Sequence, residues 1–296
     1  MTKTINIVWI GTGVMGNSMC GHLIKSGLNA FIFNRTVAKT AQLTSMGAKV
    51  CSSPAQVAKE SDVIFSMVGY PEDVESVILG KGGALEEAKP GSIIVDMTTS
   101  QPSQAERIYI EAKKKHIEFL DAPVSGGDIG AREATLSIMV GGDQEVYDKV
   151  LPLFKIMGKN IALMGCAGKG QHTKMSNQIV IASTMVGVVE GLLYAHKAGL
   201  DQNKLLDVIG QGAAASFSLN NLGRRIVNKN FDPGFFIKHF IKDMGIALEE
   251  ARRMKLSLPG LALANQFYIS ASAIGLENFG TQALYKVLEN INNINK

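Results

Sequence analysis

Lys174 and Asn177 stand three residues apart at the head of a stretch, residues 178–194, that is otherwise apolar and small-residue-rich. At helical spacing the two share one face. A lysine on an apolar helix is costly to bury unless it has a partner or a task, and partial burial lowers an ammonium's pKa toward the range useful for proton transfer. A surface lysine with a packed stem and a solvated head has the same sequence surroundings. His172 is a second candidate base, less suited because it lies nearer the helix start. Upstream, Asp121-Ala122-Pro123-Val124-Ser125-Gly126-Gly127 follows an apolar run. One hydroxyl and two flexible glycines let several donors converge on an anion such as a carboxylate, although a plain turn uses the same residues. Asp96-Met97-Thr98-Thr99-Ser100 follows another apolar run. Ser100 alone would cap a helix at Gln101, which leaves Thr98 and Thr99 as candidate ligand contacts.

A third chemistry stands at the start of the chain. Residues 5–10 are apolar and β-branched, and Gly11-Thr12-Gly13-Val14-Met15-Gly16 follows without a loop. G-x-G-x-x-G alone is a weak signal. Here a strand precedes it, a helical segment (residues 19–25) follows, and a second strand comes at 30–33, the context of a dinucleotide fold. One glycine permits the tight turn, one lets a pyrophosphate approach the backbone, and one lets helix and sheet pack closely. The helix N-terminus then offers N–H groups and a positive dipole end to phosphates. A ligand-free glycine turn is the competing reading. After the second strand, an NAD-type site carries an acidic residue for the ribose 2′-hydroxyl; this chain has Asn34-Arg35-Thr36. A guanidinium fork and a hydroxyl suit a 2′-phosphate, so NADP(H) is the expected cofactor, with NAD(H) as the lesser option. Arg35 as an ordinary solvated residue is the alternative.

These residues need a frame. Segments at 49–51, 62–68, 92–96 and 117–120 read as strands, with helices starting at Pro71 and spanning 101–115 between them. Strands at 136–140 and 161–164 flank a helix at 144–157. Alternation of this kind predicts an α/β, Rossmann-type, doubly wound and mostly parallel sheet. The character changes near Gly165, after which helical periodicity dominates: 170–199, 203–211, 218–227, 237–254, 259–274 and 281–290, with a polar tail to Lys296. The expected domains are residues 1–165, binding the cofactor, and an all-helical 166–296 for substrate and assembly. At 296 residues both can bury substantial cores. The net charge of +4 and scattered basic residues argue against a nucleic-acid surface. Three cysteines without metal-ligand spacing fit a reduced, cytoplasmic compartment and no metal. The N-terminus lacks the apolar core of a signal peptide. Residues 178–194 fall short of a membrane span and are expected as a buried interdomain helix.

With these clusters in order, the chain resembles the β-hydroxyacid dehydrogenase family, which includes 3-hydroxyisobutyrate dehydrogenase, tartronate semialdehyde reductase and glyoxylate/succinic semialdehyde reductase. The resemblance spans the whole chain through G-T-G-V-M-G at 11–16, D-A-P-V-S-G-G at 121–127, G-K-G-Q-H-T-K-M-S-N at 168–177 and K-H-F-I-K-D at 238–243. It implies Lys174 as the catalytic lysine and Asn177 as the substrate-orienting asparagine. Ser125, Gly126 and Gly127 would bind the substrate carboxylate, with Thr99, Phe235 and Asp243 completing the substrate site. Gly11, Thr12, Gly13, Val14, Met15, Gly16, Asn34, Arg35, Thr36, Met67, Val68, Thr99 and Lys242 would hold the cofactor. The pattern departs at Gln178, where relatives often carry a second Asn, and K-x-x-N-Q replaces the K-x-x-H-N of 6-phosphogluconate dehydrogenases, which argues against a phosphosugar acid. Imine reductases of similar architecture usually lack the lysine, so Lys174 favours a carbonyl substrate.

The implied activity is hydride transfer between a nicotinamide and a small β-hydroxyacid or aldehyde acid, by a homodimer or homotetramer assembled through apolar helices of the second domain, with the active site in the cleft between the domains and no membrane or nucleic-acid partner. The alternatives are a non-catalytic NADP(H)-binding regulatory protein, or a reductase of another carbonyl such as sulfolactaldehyde.

Overall fold

The structure, a computed structural model, describes residues 6–294. Ile5, expected in the first strand, and the last two residues of the polar tail lie outside that range. Six strands form one parallel sheet: β1 (Asn6–Ile10), β2 (Asn29–Phe33), β3 (Lys49–Val50), β4 (Val63–Ser66), β5 (Ile93–Asp96) and β6 (Glu118–Asp121). Their spatial order is β3-β2-β1-β4-β5-β6, a doubly wound Rossmann-type sheet whose order reverses between β1 and β4. Successive side chains of β1 point to opposite faces. Ile7 and Trp9 enter one core with Met19, Leu23 and Phe65. Val8 and Ile10 enter the other with Ile64, Val74, Ile94 and Ile108. With both faces covered, the strands read as continuous apolar runs.

The strands expected at 136–140 and 161–164 do not extend this sheet. They appear as β8 (Leu136–Val140) and β9 (Gly158–Leu163), and with β7 (Val124–Ser125) they make a second, three-stranded sheet. β7 runs antiparallel to β8, and β8 parallel to β9. An isolated bridge between Asp121 and Gly141 ties the small sheet to the end of β6. A short helix, Gly127–Arg132, stands where the sequence suggests only a turn. Gly126 at φ 129° and Gly127 at φ 62° make the sharp entry into it, a conformation that other residues resist.

The chain divides into two compact units, one ending at Lys174 and one beginning at Met175. The division falls later than the change in sequence character at residue 165, because the start of a long helix, Lys169–Lys197, is anchored in the first unit. The second unit continues with helices Gln202–Ile209, Ile237–Arg253, Pro259–Ala273 and Leu284–Ile291. The helix expected over 218–227 is a turn of π-helix, Ser218–Gly223, running into Arg224–Val227, and the one expected from residue 281 opens with a 3-10 turn, Thr281–Ala283. The core of this unit gathers Met185, Val189, Leu192, Phe240, Met244, Tyr268 and Leu284. Phe240 and Tyr268 meet edge to face at 5.0 Å, and the Tyr268 hydroxyl donates to the Thr281 carbonyl at 2.9 Å.

The long helix differs from its expectation. Its 29 residues are enough, by length and composition, to cross a membrane, which 178–194 alone are not. Nor is it buried throughout: Val180 is 63% and Tyr194 76% exposed, while Ala182, Met185, Val189 and Leu192 on the other side enter the core. Its two faces are thus distinguished by packing more than by polarity.

Candidate active site

The glycine loop shows which glycines serve the fold and which leave room for a ligand. A Cβ on Gly11 (φ +95°) would collide with the Met67 carbonyl, and one on Gly16 with the Gly11 carbonyl and the Trp9 indole. Trp9 Nε1–H donates to the Gly11 carbonyl at 2.9 Å, so the turn is clamped from below. A Cβ on Gly13 would meet nothing within 4 Å. Nothing in the fold itself crowds that position, which leaves room for a ligand to approach the backbone. Gly13 stands at the N-cap of the first helix, Val14–Lys25, which has no side-chain cap and no acidic residue in its first turn. Its orphan N–H groups and positive dipole end therefore suit a pyrophosphate.

The residues after β2 divide between bracing and exposure. Asn34 Oδ1 accepts from the Thr12 backbone N–H at 2.9 Å, and Asn34 Nδ2 donates to the Thr36 carbonyl at 2.8 Å. Thr12 is buried, and its hydroxyl donates to the Lys39 carbonyl at 3.0 Å. The side chains of Asn34 and Thr12 thus hold the loop in shape. Arg35 is exposed and lies 3.1 Å from Asp73, in the first turn of the helix Pro71–Ile78. Thr36 and Val14 are exposed too, and Met15, Met67 and Val68 half-buried. The Val68 N–H donates to Thr98 Oγ1 at 3.0 Å, and Thr98 is buried. Of the two threonines, Thr99 is the half-buried one.

Lys174 is buried at 7% exposure, unlike a snorkelling surface lysine. Its helix is seated by two residues that sequence reasoning left without a role. Asp121, fully buried at the end of β6, accepts from the backbone N–H of Gly168 at 2.7 Å and of Gln171 at 2.8 Å. A carboxylate at the N-terminal end of a helix also meets the positive end of its dipole. Gln171, fully buried, accepts from the Ser100 N–H at 3.0 Å through Oε1 and donates to the Thr98 carbonyl at 2.7 Å through Nε2. Gly141 and Gly170 allow the close approach: a Cβ on either would collide with Asp121. Lys174 follows Gln171 by three residues, so the helix that carries it is fixed to the Thr98–Ser100 loop.

Asp96 lies beside Asp121 in register across β5 and β6. Burial pushes each carboxyl up to about 6, and the Asp121 charge adds to the rise at Asp96. Hydrogen bonds oppose it: Ser66 Oγ donates to Asp96 Oδ1 at 2.8 Å, and the Gly168 and Gln171 N–H groups donate to Asp121. In the loop after β6, Ser125 and Gly127 are half-buried and Gly126 exposed.

The second unit holds its own polar network. Asn177 Nδ2 donates to Gln178 Oε1 at 2.7 Å, and Gln178 Nε2 donates to Asp243 Oδ2 at 2.6 Å. The Lys242 ammonium lies 2.9 Å from Asp243 Oδ1. That oxygen lacks a directed hydrogen bond and is held by the ion pair. Asn177 is half-buried, Gln178 fully buried and Asp243 buried. The first two residues of the His239-Phe240-Ile241-Lys242-Asp243 run pack closely: Phe235 is half-buried against Phe240 at 5.5 Å, and burial with the nearby Lys242 charge lowers the His239 pKa. Gln171 carries contacts that the sequence did not announce, and Gln178 stood out there only as a departure from the pattern of relatives. The one available signal was a long polar amide on an otherwise apolar helix.

Residues 6–165 match the family model for the NAD binding domain of 6-phosphogluconate dehydrogenase, and residues 168–288 that for the NAD-binding region of NADP-dependent 3-hydroxyisobutyrate dehydrogenase. The chain belongs to the β-hydroxyacid dehydrogenase family. It is 55% identical to a probable 3-hydroxyisobutyrate dehydrogenase-like 1, mitochondrial, of Arabidopsis thaliana, over 97% of this chain and 86% of that protein. It is 39% identical to the 2-hydroxy-3-oxopropionate reductase of Escherichia coli K12, over 95% and 96% of the two chains. Its fold matches the 3-hydroxyisobutyrate dehydrogenase of Mycobacterium tuberculosis, a structure with L-serine, at a TM-score of 0.89 and 27% identity, covering 97% and 99%. As a member of this family the chain is an oxidoreductase acting on CH–OH groups with a nicotinamide cofactor. The open cradle at Gly13 fits that cofactor's pyrophosphate.

Proposed function

We propose that this β-hydroxyacid dehydrogenase is an NADP(H)-dependent reductase of a small aldehyde acid, with Lys174 as its general acid and base. The observation that carries the reading is the buried Lys174, on a helix start that Asp121 and Gln171 pin to the strand ends. A burial of that kind has a cost that a surface role does not repay. A bound nicotinamide would supply or accept the hydride at the carbonyl carbon. In reduction Lys174, as an ammonium, gives its proton to the oxygen that gains charge; in oxidation neutral Lys174 takes the hydroxyl proton. Ser125, Gly126 and Gly127 hold the substrate carboxylate through one hydroxyl and backbone N–H groups. Asn177, one turn beyond Lys174, orients the substrate. Phe235 shields the substrate on its apolar side. Thr99 and Lys242 would be the residues that hold the nicotinamide end of the cofactor. Fixed placement of both reactants removes an entropic barrier worth about 7–11 kcal/mol in favourable cases.

Arg35 and the lack of an acidic residue after β2 support the NADP(H) preference, since a carboxylate there would repel a 2′-phosphate. The test is NADPH oxidation, compared with NADH, against glyoxylate, succinic semialdehyde, methylmalonate semialdehyde, tartronate semialdehyde and sulfolactaldehyde. Turnover of at least one aldehyde acid, faster with NADPH, is the expected result. NADPH binding without turnover of any of them would overturn the reading in favour of a binding role or a different carbonyl.

A further inference from the structure

We infer that Gln171 and Gln104 are positioning residues that meet at Ser100 and hold Thr99 in register with Lys174. The inference rests on the roles proposed above for Thr99 and Lys174. Gln171, Ser100 and Gln104 are all buried, so their polar atoms depend on partners within the protein.

Thr99 sits between the two bonds that the Gln171 side chain makes. Nε2 donates to the Thr98 carbonyl at 2.7 Å, and Oε1 accepts from the Ser100 N–H at 3.0 Å. The Thr98 carbonyl belongs to the peptide plane before Thr99, and the Ser100 N–H to the plane after it. One planar amide therefore grips both planes, and with them the φ and ψ of Thr99. A residue of a neighbouring parallel strand holds its partner in the same way. Here β5 has already ended at Asp96, and a side chain takes the strand's place. The backbone of Gln171 is held separately, its N–H donating to Asp121 Oδ2 at 2.8 Å. Lys174 follows on the same face of the helix. Thr99 and Lys174 thus take their separation from a single residue.

Ser100 carries the brace outward. A serine just before Gln101 is the expected helix cap, but the helix Pro102–Lys114 has Gln101 at its N-cap and no side-chain cap. The Ser100 hydroxyl donates instead to Gln104 Oε1. Its direction is forced from the far side. Gln104 Nε2 faces two acceptors, the Pro71 carbonyl at 2.9 Å and Glu75 Oε2 at 3.2 Å. The amide's carbonyl end is then turned to Ser100, and the proton between the two oxygens comes from the hydroxyl. Pro71 opens the helix Pro71–Ile78, and the preceding segment is tied to Thr98 through Val68. The segments after β4 and β5 and the start of the long helix are therefore joined through two glutamines and a serine. A misplacement of about 1 Å in a reacting pair can cost on the order of 10²-fold in rate, so such a brace has a kinetic readout.

The test removes the hydrogen bonds and keeps the bulk. Stopped-flow single turnover follows NADPH with the best aldehyde acid of the screen. Gln171→Met is expected to lower the rate constant roughly 10- to 100-fold. Ser100→Ala, which keeps the N–H that Gln171 holds, is expected to lower it about three- to tenfold, and Gln104→Met at least as much. The double variant Gln171→Met/Ser100→Ala should stay within about twofold of Gln171→Met, because the hydroxyl then steadies a segment already released. The Kd for NADPH should stay within about threefold throughout. A merely structural fault lowers the amplitude of the turnover, through the folded fraction, and leaves its rate constant unchanged. A folded Gln171→Met with the wild-type rate constant, or losses that multiply in the double variant, would overturn the inference. If Gln171→Met does not fold, Ser100→Ala decides, and a wild-type rate constant there overturns the brace. A wild type without turnover would contradict the proposed function, while hydrogen exchange of the cofactor-free protein would still decide the brace. Gln171→Met should speed exchange of the Ser100 N–H at least about tenfold more than that of Ile64 in β4, and equal acceleration of the two would count against it.

Discussion

Asp121 at the end of β6 and Asp243 in the helix Ile237–Arg253 are both buried aspartates beside the long helix, and they are satisfied by opposite means. Asp121 accepts from backbone N–H groups of Gly168 and Gln171, donors that any sequence would supply if the chain took that path. Asp243 depends on two side chains, Lys242 and Gln178. The first arrangement fixes the position of the helix start and tolerates change in its neighbours' side chains only through glycine packing. The second rests on a side-chain amide and an ammonium, so it depends on the residue types at 178 and 242. Placement is written in the backbone of the first unit, and chemical detail in the side chains of the second.

That difference orders the consequences of losing each carboxylate. Asp121→Ala strands two buried backbone donors that cannot swing to water, at a cost of about 3–5 kcal/mol. Asp243→Ala strands the Gln178 Nε2 and leaves Lys242 without its partner, but the flexible Lys242 side chain, 12% exposed, can carry its charge toward solvent, so the cost is about 1–3 kcal/mol. Urea unfolding of the two variants checks the order, and a larger loss for Asp243→Ala would break the contrast. Asp96→Asn sharpens it by changing charge alone. Burial raises Asp96 to about 6 from the ordinary 3.8, so the folded state binds its proton more tightly than the unfolded one. Stability from this group is present below about pH 4 and lost as pH rises through 6. Asp96→Asn should therefore raise Tm at pH 8 by the equivalent of about 1–2 kcal/mol, and the gain should vanish toward pH 4. A gain independent of pH would contradict the assignment. Arg35→Ala is the smallest in stability, because an ion pair whose Arg35 side chain is 86% exposed contributes little. It should leave Tm unchanged, raise the NADPH KM sharply and barely alter that for NADH. Equal effects on both cofactors would reduce Arg35 to a structural part.

The sheet, the glycine loop and the helical second half were legible in the sequence because each is carried by local pattern: apolar runs, a fixed glycine spacing and a change of period near residue 165. Partners distant in sequence were not. Gln171 bonds to Thr98 and Ser100, and Gln178 to Asp243, 65 residues on, and no local pattern announces either. The same limit hid the three-stranded sheet, since β7 is only two residues long and pairs with β8 across a glycine-entered helix. Lys174 was visible as a type and a spacing, but its burial followed only from the fold. The hydrogen bonds of the Asn34 and Thr12 side chains, which brace the loop itself, likewise join residues that no local pattern pairs.

The central claim is that Lys174 moves the proton. Stopped-flow single turnover measures it most directly, with enzyme saturated by NADPH and mixed with the best aldehyde acid of the screen. Lys174→Ala should slow the loss of NADPH absorbance by roughly 10²–10⁴-fold, the usual contribution of a general acid, while the Kd for NADPH stays within about twofold of wild type. A near-normal rate in that variant would contradict the account and turn attention to His172.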